Sequence, residues 1–123
     1  MTMEQFVKMC SARDEERARI LEAMQDVPVL LSPVCAAPAF RHGEGNWKPA
    51  SGYRDTMRHS QWLNLAGFPG VAIPMGKSDA GLPIGVQLIG RPYEDELVLS
   101  VAEQLESARG PWQAPASGED LVF

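Results

Sequence analysis

Apolar positions in the first 25 residues recur at helical spacing: Met3, Phe6, Val7 and Cys10, then Ala18, Leu21 and Met24 beyond a charged middle. Thr2 and Gln5 stand at the spacing of a capping box, in which each side chain satisfies the other residue's free backbone amide. Pro28 disfavours helical geometry at Val27, so the helix is expected to stop near Asp26. Val29, Leu30 and Leu31 then form a wholly apolar run ending at Ser32-Pro33, the pattern of a strand buried on both sides in a mixed or parallel sheet. From Pro33 to Gly52 the composition turns to Pro, Gly, Ala and polar residues, which predicts a long irregular excursion. Loops of that length are usually functional or draped over a partner surface.

A short helix is expected from about Tyr53 to Leu65, with Gly67 as its left-handed terminator and Pro69 blocking continuation. Val71-Ala-Ile-Pro74-Met75 and Ile84-Gly-Val-Gln-Leu-Ile89 flank a turn-rich connector from Gly76 to Pro83 and predict an antiparallel pair. Pro74 cannot donate to a ladder, so its amide side must face an edge or a bulge. The last helix is marked by Glu94, Asp95 and Glu96 at its positive end and Arg109 at its negative end. Its buried stripe is Leu97, Val98, Val101, Ala102 and Leu105, and Gly110-Pro111 closes it. The fold class is therefore α/β, in the order α-β-α-β-β-α, with a small mixed sheet flanked by helices. Residues 1–112 form one unit and residues 113–123 a loosely held tail. Three strands leave sheet edges that want another strand.

Composition narrows the functional classes. With 123 residues, 45% of them hydrophobic and 22% charged, the chain is one domain at most or part of a larger one. The net charge of −5 argues against a nucleic-acid partner, which needs basic clusters to replace condensed counterions. Arg13, Arg17 and Arg19 instead alternate with Asp14, Glu15 and Glu16, the pattern of a solvated helix face. Cys10 and Cys35 are too few for a disulfide framework or a structural zinc site. No apolar run approaches a membrane span, and a reducing, cytoplasmic setting is the default.

Chemistry read from spacing is weak throughout. Cys35 and His42 lack an orienting third group, so a structural cysteine and a loop histidine outweigh a thiolate nucleophile. Lys77-Ser78 has the elements of a Ser–Lys dyad, but a turn would leave the lysine solvated and charged; a polar turn is the better reading. His42 and His59 have no metal-ligand spacing, so neither a metal nor a cofactor is expected. Trp47, Tyr53 and Trp62 have the chemistry to line an apolar acyl or aryl pocket, although aromatics at such spacing more often pack a core.

Two stretches resemble a known family. Asn64-Leu-Ala-Gly67-Phe-Pro69, continued by Val71-Ala-Ile-Pro74-Met-Gly76 and Gly81-Leu-Pro83-Ile-Gly85-Val-Gln87, is similar to the C-terminal block of amidase-signature hydrolases. Asp26 to Phe40, with Pro33 and Pro38, resembles the strand-then-Pro segment that precedes that block. The resemblance covers nearly the whole chain and is weakest at residues 41–57 and 113–123. The segment around Phe40 and His42, together with Trp62, looks closest to fatty-acid amide hydrolases and related amidases. Phe40 and Trp62 are accordingly the candidate substrate-binding residues. Gly67, Gly76, Gly81, Gly85 and Gln87 take scaffold roles, with Gln87 bonding a neighbouring backbone group.

The resemblance also implies a departure. The family acts through a Ser–cis-Ser–Lys triad in a Gly/Ser-rich region, and this chain has no two adjacent serines and no such region. No catalytic residue carries over. The first expectation is thus a C-terminal structural segment of an amide-bond hydrolase, inactive alone, whose partner is the missing N-terminal amidase region. A small-molecule amide would be its substrate only once completed. A natural split, a truncated gene and a cloned fragment all fit. The alternative is a non-catalytic module that self-associates as a homodimer through bare strand edges or apolar helix faces. A self-sufficient hydrolase using Cys35 or Ser78 is a third reading.

Overall fold

A computed structural model describes residues 1–40 and 56–111 of the chain. Helix α1 spans Met3–Ala23, strand β1 Val29–Pro33, helix α2 Arg58–Ala66, strand β2 Gly70–Lys77, strand β3 Pro83–Gly90 and helix α3 Asp95–Arg109. The order is the expected α-β-α-β-β-α. The expected start of α2 near Tyr53 and the expected tail at residues 113–123 lie outside the described residues.

Local signals set most boundaries. The capping box forms as read: the Thr2 amide donates to Gln5 Oε1 at 2.8 Å and the Gln5 amide to Thr2 Oγ1 at 3.2 Å. Helix α1 ends at Ala23, three residues before Asp26. Gly67 terminates α2 in the left-handed region, at φ 68° and ψ 46°, and its amide donates to the Leu63 carbonyl at 2.7 Å. Glu94 precedes α3, but its carboxylate does not cap the helix. It takes both Arg91 nitrogens instead, Nε at 2.8 Å and Nη2 at 2.7 Å. That grip holds the Glu94 carboxyl below the ordinary glutamate range and raises Arg91.

The sheet has the order β1-β3-β2, and both pairings are antiparallel. Leu31 faces Leu88 across one ladder and Val71 faces the same Leu88 across the other. Pro74 sits beside a register shift between Pro74 and Gly76, on an edge strand, so its missing donor meets both conditions the sequence set. The mixed or parallel environment expected for β1 is not observed. Among the described residues it is an edge strand, and Leu31 is 60% exposed. An apolar run records the burial a strand is suited to, and does not record which way its neighbour runs.

Helices cover both faces. On one, Leu30 and Ile89 meet Met24, Leu63, Ala66 and Phe68 from α1, α2 and the residues that follow them. On the other, Val29, Val71, Ile73 and Leu88 meet Val98 and Ala102 of α3. The expected α3 stripe thus packs through Val98, Val101, Ala102 and Leu105, while Leu97 stays at the rim. Gly90 lets α3 come this close, because a Cβ there would run into Cγ2 of Val98. The apolar stripe of α1 behaves differently. Ile20 and Leu21 pack on the core, whereas Met3, Phe6, Val7 and Met9 remain exposed, and no residue of α1 is fully buried.

Candidate functional site

An apolar groove of about 480 Å³ opens beside the start of β3. One bank is the segment 34–40 that continues β1, ending in Phe40; the other is Met57 before α2, with Pro83, Ile84 and Gly85 at the base. Hydrogen bonds fix the banks relative to each other. The Ala36 amide donates to the Thr56 carbonyl at 2.8 Å. Buried Gln87 donates through Nε2 to the carbonyls of His59 at 2.8 Å and Pro33 at 3.0 Å. One side chain on β3 therefore ties the exit of β1 to the first turn of α2, a sharper version of the backbone bond the sequence suggested. A Cβ at Gly85 would meet the Ile73 carbonyl oxygen at 3.4 Å and Val34 Cγ2 at 3.6 Å, ordinary contacts that leave room for a methyl group.

The lining is chemically plain. Among the described residues that form it, Cys35 carries the sole reactive side chain, and its sulfur lies 3.6 Å from the Met57 sulfur. The groove suits an apolar group, with little to orient a polar one. Met57 and Ile84 were not singled out by sequence. Their apolar character was visible, but only the fold brings them against the segment 34–40.

The two candidate substrate-binding residues separate. Phe40 lines the groove, and Trp62 does not. Trp62 packs edge-to-face on Phe68 with ring centroids 5.8 Å apart, alongside the Met24 core. Arg17 covers the same Phe68 ring, 5.9 Å from its centroid. Trp47 and Tyr53, the other aromatic candidates, and His42, read as a loop histidine, lie outside the described residues.

Ser78 belongs to a turn. Its hydroxyl accepts the Leu82 amide at 3.2 Å, its amide donates to the Leu82 carbonyl at 2.8 Å, and its carbonyl accepts Gly81 at 2.9 Å. Gly81 supplies the left-handed residue that turn requires, at φ 78°. Among the described residues no three His, Cys, Asp or Glu side chains gather as a metal site, and no helix is long and apolar enough to cross a membrane.

Comparison with known proteins fits this geometry. A family model described as Amidase matches residues 1–99. The glutamyl-tRNA(Gln) amidotransferase A subunit of Bdellovibrio bacteriovorus is 44% identical over 88 residues, covering 72% of this chain and 18% of that protein. The crystal structure of the protein of the same name from Thermotoga maritima superposes with a TM-score of 0.78 at 30% identity, over 89% of this chain and 25% of that one. A 6-aminohexanoate cyclic dimer hydrolase complexed with substrate gives a TM-score of 0.79 at 25% identity, over 94% of this chain and 27% of that one. The chain thus spans about a fifth of the length of the curated relatives it matches. With four fifths of its length inside the family match and the same sheet and helices in solved neighbours, the chain belongs to the amidase family.

Proposed function

We propose that this chain is the C-terminal structural segment of an amide-bond hydrolase, inactive alone, and that it supplies strands and one apolar pocket wall to a body that carries the Ser–cis-Ser–Lys triad. One observation carries the reading: the family match runs over residues 1–99, yet the sequence holds no Gly/Ser-rich region of the kind in which that triad sits. The groove beside Phe40 and Met57 supports the second half of the proposal, because the described residues that line it offer an apolar surface without an acidic or basic side chain. The names of the cyclic dimer hydrolase and of the amidotransferase are consistent with chemistry at an amide bond. A small-molecule amide with an apolar acyl or aryl side suits the groove's apolar lining, and the resemblance of the Phe40 segment to fatty-acid amide hydrolases belongs to the same proposal. A cytoplasmic setting belongs to the same proposal. These relatives are several times longer than this chain, which favours a missing body over a self-associating module.

The test compares the purified chain with a chimera in which this chain replaces the matching quarter of the Thermotoga maritima protein. The substrates are p-nitroanilides of short and long acyl groups. The expected result is no turnover by the chain alone and turnover by the chimera, with Phe40→Ala raising KM for the long acyl substrate. Turnover by the chain alone that disappears in Cys35→Ala or Ser78→Ala would overturn the proposal.

A further inference from the structure

The turn between β3 and α3 holds an aromatic side chain in solvent at a conformational cost. It runs from Arg91 to Glu94 and is closed by the Glu94 amide, which donates to the Arg91 carbonyl at 3.1 Å. Pro92 suits its second position, but the third takes a left-handed φ that ordinarily calls for glycine. Tyr93 stands there at φ 68°, the sole non-glycine residue with positive φ among the described residues. The two bonds from the Arg91 guanidinium to the Glu94 carboxylate clasp the turn a second time. Yet the phenol gains little packing within the described residues, since Tyr93 is 95% exposed. A strained residue that its surroundings hold in place points to a use beyond the fold.

Tyr93 lines an open cavity of about 380 Å³, which shares no residue with the apolar groove and lies at the other end of β3. Pro69 and Pro92 give the cavity apolar walls, and Arg17 of α1 gives it a cation. Arg17 is half-buried over the Phe68 ring. Arg13 and Arg19 on the same helix are paired, with Asp14 and Glu16, but Arg17 has no ion pair among the described residues. A guanidinium already held by an aromatic ring loses less entropy when it grips a carboxylate through two parallel bonds. Asp95 lines the same cavity and disfavours a second negative charge on whatever enters.

We propose that this cavity binds a small monocarboxylate with an aromatic body, its carboxylate on Arg17 and its ring against Tyr93 and the two prolines. The proposal stands or falls independently of the hydrolase reading.

Amide NMR of the isotopically labelled chain, titrated with phenylacetate, tests it. The amides of Arg17, Gly67, Phe68 and Tyr93 should shift and saturate. Phenylacetamide, which has the same shape without the charge, should bind at least about tenfold more weakly, and so should inorganic phosphate. Arg17→Gln should weaken phenylacetate at least about tenfold. Tyr93→Gly relieves the strained φ, so it should not lower the melting temperature, yet it should weaken phenylacetate at least about threefold. If Arg17→Gln does not fold, Tyr93→Gly and the phenylacetamide comparison still decide.

Phenylacetamide that binds as well as phenylacetate overturns the proposal, and phosphate that does so overturns it in favour of a general anion site. Shifts that do not saturate, or that map to residues 34–40 and 83–85, overturn it too. So does unaltered binding in either variant, and a lower melting temperature in Tyr93→Gly contradicts the strain on which the argument rests. Phenylacetate binding that vanishes in the folded chimera also overturns it, because the rest of the amidase body would then be what covers Tyr93.

Discussion

Gly90→Ala should weaken the joint between the sheet and α3. The added Cβ would overlap Cγ2 of Val98 and lie 3.6 Å from both the Glu94 carbonyl oxygen and Pro69 Cγ, so it is enclosed on three sides. Val98 is 2% exposed and β-branched within a helix, and a single rotamer dominates for such a residue, leaving it little room to turn away. Overpacking then costs near the top of the usual range of about 1–3 kcal/mol. Alanine recovers about 0.5–1 kcal/mol over glycine within a strand. The net loss is about 2 kcal/mol.

Urea denaturation followed by tryptophan fluorescence measures this loss. Gly70→Ala is the control, because its Cβ would meet neighbours no closer than 3.6 Å; it should change stability by no more than about 1 kcal/mol. Val98→Ala alone should cost about 2 kcal/mol, and the double variant should be at least about 1 kcal/mol more stable than the two losses summed. A Gly90→Ala protein as stable as the parent, or an additive double variant, would refute the packing argument.

Three further outcomes follow from individual contacts. Gln87→Met removes a buried side chain's bonds to the carbonyls of His59 and Pro33 and should cost about 1–3 kcal/mol by chemical denaturation. Thr2→Ala removes half of the capping box and should destabilise α1 by about 1 kcal/mol, read as lost helical circular dichroism on mild heating. Because Glu94 is held below the ordinary glutamate range by Arg91, its contribution is fully present above about pH 4.3 and fades as pH falls through its lowered folded value. Melting temperatures from pH 7 down to pH 3 should therefore fall less steeply in Glu94→Gln than in the parent.

Local grammar explains what could be read in advance. The Thr2–Gln5 box, the Gly67 terminator and the Pro74 edge each depend on a few neighbouring residues, and each forms as the sequence indicates. The pairing of Val29 with Gly90 joins residues far apart in the chain, and nothing in either segment encodes the direction of that ladder. The need for glycine at position 90 was equally hidden, since it depends on where Val98 lands. The stripe on α1 misled in a different way: periodicity marked a face to be buried, and within this chain only its C-terminal end is. For the groove, Phe40 could be named from resemblance, but Met57 and Ile84 reach it only through the fold. Trp62 was drawn to the site by its chemistry and to Phe68 by its position on α2.

The most direct measurement of the central claim is the intact mass of the purified chain after exposure to a serine-reactive fluorophosphonate. No added mass is the expected result, and it would direct the search to a partner polypeptide carrying the Ser–Ser–Lys region. A stoichiometric adduct on a single serine would contradict the claim, because the chain would then hold a nucleophile of its own.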